Sequence, residues 1–157
     1  MSSAMFSQTN EYALRIITYL AAHADAPAKN AAIAKATKVP PGYLYKVLQT
    51  LDKAGLVTAR RGMHGGFMLT RAARDITVFE VVQAVDPLPR IRTCPLHLAS
   101  HGVRLCALHH RLDQAFILVE EAFRASTIAD LLDDPRPSRP LCDGLHEPVL
   151  LLCPKSL

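Results

Sequence analysis

Tryptophan is absent from this sequence, and phenylalanine and tyrosine together supply only its 6% aromatic content. With half of the residues hydrophobic, that scarcity leans toward an Ala/Leu-rich helical protein. No apolar run approaches the ~18–20 residues needed to span a membrane, and no basic-then-apolar N-terminal segment resembles a signal peptide. Cysteines are few and scattered, at 94, 106, 142 and 153. They do not form a disulfide framework for a chain of this size, so a reducing cytoplasm is the expected setting. Nucleophile-elbow and phosphate-loop motifs are also missing. A thiol hydrolase using Cys106 with His109 or His110 would still need an oriented third group, an oxyanion site and a cleft, so no enzyme is expected. Charge of one sign is scarce as well. Lys and Arg number 18 against 14 Asp and Glu, a net charge of +4, which a DNA partner and a merely solvated basic surface explain equally well. The 157 residues match one ordinary domain and can bury a real core.

What is present is concentrated in residues 39–71, VPPGYLYKVLQTLDKAGLVTARRGMHGGFMLTR. Pro40 and Pro41 suit the first turn of a helix, where a missing N–H costs nothing. Leu44, Val47, Leu48 and Leu51 then make one apolar stripe, with Tyr43, Tyr45, Lys46, Gln49 and Lys53 on or beside the opposite face. Ala54-Gly55 reads as the stop, because glycine takes the left-handed conformation there. Residues 56–59 and 67–70 are short strand candidates around a basic hairpin tip of Arg60, Arg61, Gly62, His64, Gly65 and Gly66. A polar helix face followed by a basic hairpin is how a winged helix-turn-helix grips DNA, helix in the major groove and wing on the backbone or in the minor groove.

Upstream, Ser7 or Thr9 can cap a helix over 10–23 with Tyr12, Ala13, Ile16, Ile17 and Leu20 at helical spacing. Asn30 is expected to cap a second helix through Ala36. Downstream, Asp75 is expected to cap a helix through Val85 that buries Ile76, Phe79, Val82 and Val85. A long helix follows at 105–126, with a stripe of Leu105, Leu108, Leu112, Ala115, Phe116, Val119, Ala122 and Phe123. Such a stripe needs cover, and self-association as a homodimer is the economical answer. Thr127–Leu132 reads as a short final helix. The expected fold class is mainly α with a small β-wing, a winged helix-turn-helix plus a long dimerisation helix. Its parts are a DNA-binding domain at 1–85, a sensor loop at 86–104, the dimerisation and final helices at 105–132, and an irregular Pro-rich tail at 133–157.

YLYKVLQTLDKAGLV followed by RRGMHGGFMLTR resembles the IscR/NsrR-type winged-helix regulators, the Rrf-two family. The resemblance extends to Glu11-Tyr12-Ala13-Leu14-Arg15, Ile76-Thr77 and Val81-Val82, and covers roughly residues 5–132. By position, Gly42, Tyr45, Lys46 and Gln49 are expected to face base edges in double-stranded DNA. Arg61 resembles the family's wing arginine, which suits a narrow minor groove, while Arg60, His64 and Lys53 are expected on phosphates.

The resemblance further implies a transcription regulator, expected to repress from a palindromic operator. In the family, three loop cysteines with five residues between successive ones often hold an iron–sulfur cluster. Cys94 and Cys106 match the first and third, but Ser100 takes the middle place, and a serine hydroxyl is a poor soft-metal ligand. Glu11 stands where some members present a carboxylate from the partner subunit, and His109 where others place a histidine. The implied metal set is therefore Cys94, Cys106, His109 and Glu11, with His97, His101 and His110 nearby in sequence. It would hold a 2Fe-2S cluster sensing redox state, nitric oxide or iron–sulfur supply, or a zinc ion in its place. With Ser100 as it is, the alternative is a cluster-free regulator controlled by thiol oxidation or a partner protein.

Overall fold

A computed structural model of the chain describes residues 6–95, 104–136 and 140–141. Its elements are α1 (Gln8–Ala22), α2 (Asn30–Thr37), α3 (Pro41–Lys53), β1 (Val57–Arg60), β2 (Gly66–Leu69), α4 (Val78–Val85), α5 (Ala107–Arg124) and α6 (Ile128–Asp133). Three helices, a two-stranded antiparallel hairpin and further helices make a winged-helix architecture. No helix among the described residues is long and apolar enough to cross a membrane.

The first three helices follow their local chemistry. Ser7 caps α1, its hydroxyl accepting the Asn10 N–H at 3.2 Å. The expected cap of α2 does not hold: Asn30 is its first helical residue, and the N-cap is Lys29, which makes no side-chain cap bond. α2 is held instead by burial of Ile33 and Thr37. Pro41 opens α3, and Gly55 at φ 71° follows its end. There Leu56 N–H donates to the Leu51 carbonyl at 3.0 Å and Gly55 N–H to that of Asp52 at 2.9 Å. These paired bonds close a Schellman motif and turn the chain straight into β1. The hairpin pairs Val57 with Leu69 through Arg60 with Gly66. Ala28, in the α1–α2 connection, adds a further bridge to Phe67.

α4 departs from expectation. Its cap is Thr77, two residues later than Asp75, because Glu80 lies three residues beyond Thr77 and completes a reciprocal capping box at 2.8 and 3.1 Å. Asp75 instead ends a single 3-10 turn, Ala73–Asp75. The inward face shifts accordingly: Ile76, Val78, Val81 and Val82 are buried, while Phe79 and Val85 are half-buried. A second capping box, Thr127 with Asp130, opens α6. The two caps lie side by side, Val78 N–H donating to Ser126 and Ile128 N–H to Ile76, each at 2.9 Å.

The core gathers the buried face of α1 (Ala13, Ile16, Ile17, Leu20) with Ile33, Leu48, Leu51, Ile76, Val81 and Val82. Ile128 of α6 belongs to it and is fully enclosed. α5 is different. Leu105 and Cys106 precede it, and the expected stripe divides: Phe116, Val119 and Phe123 are half-buried, while Leu108, Leu112, Ala115 and Ala122 face outward. Of its 18 residues only Asp113 is buried. The reason is an ion pair that periodicity cannot register. Arg90 donates twice to Asp113, at 2.8 and 2.9 Å, and the Ile91 N–H donates to the same carboxylate at 2.9 Å. Arg90 also reaches Glu120, and Glu120 pairs with Arg124, whose guanidinium lies 3.5 Å from the centroid of the Phe79 ring.

The Arg90 guanidinium, helped by the Ile91 N–H, holds the Asp113 carboxyl down at about 2 from its ordinary 3.8. A carboxyl depressed in the folded state stabilises it above the ordinary value, and that contribution fades as pH falls from about 4 toward 2. Asp113→Asn is therefore expected to flatten the stability profile across that window. Chemical denaturation at pH 7, 4 and 2.5 checks it, and parallel profiles for the two proteins would remove the pair from the account.

Candidate nucleic-acid interface and cysteine–histidine pair

α3 is two-faced as its spacing demands. Leu44, Val47, Leu48 and Leu51 are buried, whereas Gly42, Tyr43, Tyr45, Lys46, Gln49 and Lys53 are exposed. The start of the helix is braced from α1 by contacts that sequence reasoning missed. The Tyr12 and Tyr43 rings meet edge-on with centroids 6.0 Å apart, and Arg15 lies over the Tyr12 ring. Arg15 also donates to the Thr37 carbonyl at the end of α2, at 3.3 Å, and pairs with Glu11. One arginine thus touches α1, the end of α2 and the ring that supports α3. Nothing in local periodicity links residues 12 and 43, so no sequence signal could have found the contact.

The wing presents Arg60 at the end of β1 and Arg61, Met63 and His64 in the connecting loop, all exposed. The loop is tight: Gly65 N–H donates to the Gly62 carbonyl at 2.9 Å, and Gly62 takes φ 109°. Gly66 sits hard against the Ala28 backbone, where any side chain would collide. The base of the wing is anchored by a reciprocal pair of 2.8 Å hydrogen bonds between Ala28 and Phe67. The wing cations predicted for phosphate or minor groove therefore stand on an anchored hairpin, Lys53 stands at the end of α3, and the residues predicted for base edges stand on the buttressed start and middle of that helix.

The candidate metal ligands meet only in part. Cys106 is the residue just before α5, and its Sγ lies 3.4 Å from His109 Nδ1, so the predicted pair does adjoin. Cys94 is buried at the end of the segment that Arg90 ties down. Glu11 is exposed on α1 and engaged with Arg15, and His110 is exposed. Among the described residues, no three His, Cys, Asp or Glu side chains come together in a way that could hold a metal. Two donors fall short of the four that iron or zinc ordinarily takes. His97, Ser100, His101, Cys142 and Cys153 lie outside the described residues, as does most of the Pro-rich tail.

Comparison with known proteins places this geometry. The family model named Rrf2 and described as an iron-dependent transcriptional regulator matches residues 6–134. Protein aau3 of Rhizobium meliloti (strain 1021) is 36% identical over 144 residues, spanning 90% of this chain and 92% of that protein. A protein of Aquifex aeolicus (strain VF5) bearing the name of an HTH-type transcriptional regulator is 30% identical over 132 residues, 82% of this chain and 92% of its own length. Among solved structures, T. potens IscR superposes with a TM-score of 0.69 at 26% identity, covering 84% of this chain and 88% of that one. CymR, the global cysteine regulator of B. subtilis, has the same fold, with a TM-score of 0.66 at 24% identity over 80% of this chain and 94% of its own.

Proposed function

This chain belongs to the Rrf2 family of transcriptional regulators, and from that premise we propose that it acts as a homodimeric repressor on a palindromic operator in double-stranded DNA. The observation that carries the reading is the exposed polar face of α3 followed by the rigid basic wing. In this reading Gly42, Tyr45, Lys46 and Gln49 address base edges in the major groove. Arg60, Arg61, His64 and Lys53 take phosphate and minor-groove positions, adding affinity that falls with salt. The outward leucines of α5 supply the dimer seam, and the two-fold axis sets two half-sites about 34 Å apart.

The signal enters near Cys106 and His109, the pair that adjoins at the start of α5. A cluster reporting redox state, nitric oxide or iron–sulfur supply would draw on Cys94, Cys106, His109 and a Glu11 carboxylate. When bound, such a cluster supplies electron-transfer and nitric-oxide-reactive iron. A cluster-free regulator, answering through the Cys106 thiol or a partner protein, is the second reading. It is favoured by Ser100 at the middle cysteine position.

One preparation tests both. The full chain, purified without oxygen, is assayed for visible absorption, iron and sulfide, and then used to select duplexes from a random pool. The reading expects an enriched two-fold symmetric duplex. Visible bands that bleach with nitric oxide or air, together with altered duplex affinity, would establish the cluster. A colourless, iron-free protein that still enriches the duplex after reconstitution would establish the second reading. Failure to enrich any duplex would reject DNA binding itself.

A further inference from the structure

Among the described residues the most exposed large apolar side chain is Met63, at 83%. Single exposed apolar residues are ordinary on protein surfaces, so exposure alone carries nothing. The frame around Met63 does. The Gly65-to-Gly62 hydrogen bond closes a four-residue turn with Met63 and His64 as its central pair. A Cβ at Gly65 would lie 2.9 Å from the Gly62 carbonyl oxygen, and one at Gly66 would lie 2.6 Å from the Ala28 carbonyl carbon. The limb that follows the tip is therefore held to bare backbone, and on the limb that precedes it Gly62, at φ 109°, takes a conformation that side chains disfavour. Behind them stand two arginines, and the base of the hairpin is pinned at Ala28. The result is a thin, preorganised blade with cations on its shoulder and Met63 beside His64 at its point.

We propose that Met63 is a wedge that enters the minor groove beside Arg61 and prises apart one base step, with Arg60 on the phosphates. This rests on the DNA-binding reading above and adds a specificity-determining residue to it. The minor groove is only about 6 Å wide, which penalises a tip with bulky limbs and admits a bare one edge-on. Methionine is unbranched and carries a soft, polarisable sulfur, so it adapts to the gap between two bases. Apolar wedges of this kind unstack a step and kink the duplex. Pyrimidine–purine steps yield most easily, so Met63 would read sequence where no hydrogen bond is made.

The test uses the full chain, the duplex that it selects, and the variants Met63→Ala and Met63→Leu. Fluorophores at the duplex ends report bending, and 2-aminopurine beneath the wing reports unstacking. Met63→Ala is expected to bind on the order of tenfold more weakly, with a smaller bend and quenched 2-aminopurine. Its salt dependence should be unchanged, because no phosphate contact is lost. Met63→Leu is expected to retain the bend. Thermal melting should be the same for all three proteins, since the side chain lies in solvent. If Met63→Ala binds, bends and unstacks like the parent, the wedge is wrong while DNA binding stands. If the parent selects no duplex, both fall.

Discussion

Leu118→Glu is expected to turn the proposed dimer into a monomer and to weaken binding to a two-half-site duplex by roughly 10²- to 10⁴-fold, the factor that linked sites ordinarily contribute. The expectation comes from the outward face of α5. Leu118 is 66% exposed and Leu108 64%, with Leu112, Ala115 and Ala122 exposed beside them. At 100° per residue these five span about 120° of the helix with Leu118 at one edge, while Val119 and Phe123, which pack against the core, lie toward the other edge. Leucines with small alanines between them allow two such helices to approach closely, and burying them against a second copy removes substantial apolar area from water. A carboxylate buried in that seam resists desolvation. Sedimentation velocity reads the association state and fluorescence anisotropy the duplex affinity. A Leu118→Glu protein that remains dimeric would move the seam elsewhere. Leu118 was not among the residues that helical spacing marked, because spacing places apolar side chains on a stripe without saying that the stripe serves two different neighbours.

Gly66→Ala is expected to destabilise the protein by about 2–3 kcal/mol and lower its melting temperature by roughly 5–10 °C. The new methyl would meet the Ala28 carbonyl group and, at 3.1 Å, its nitrogen. Backbone cannot give way as a flexible side chain can, so the two 2.8 Å bonds between Ala28 and Phe67 must lengthen or break. The wing then hinges away from the α1–α2 connection, and duplex affinity is expected to fall along with stability. Differential scanning calorimetry and anisotropy on the same sample separate the two effects. An unchanged melting temperature would mean that the contact is looser than the geometry requires.

These cases show what can be read from residues alone. α3 and its hairpin were legible because everything that shapes them is local: prolines at the start, leucines at 3-4-3 spacing, glycine after the last turn, glycines in the loop. The Cys106–His109 pair was legible for the same reason, being three residues apart. The cap of α4 was not. Asp75 and Thr77 both fit a local rule, and the choice between them also rests on pairing with a strip of backbone near residue 127, fifty residues further on. Helical spacing gives Asp113 no special place, because Arg90, which holds it, lies 23 residues earlier. The Tyr12–Tyr43 brace is likewise a product of tertiary packing.

The adjoining caps of α4 and α6 bear on how the molecule could have been assembled from parts. Ile128 completes the core that α1, α3 and α4 begin, so the chain that passes out of α4 at Asp86 is tied back to the start of that helix at Ser126. It is an excursion rather than an appendage. Cutting the chain after α4 would therefore not release a self-sufficient DNA-reading module, and exchanging the excursion with a relative's would require keeping both of its moorings.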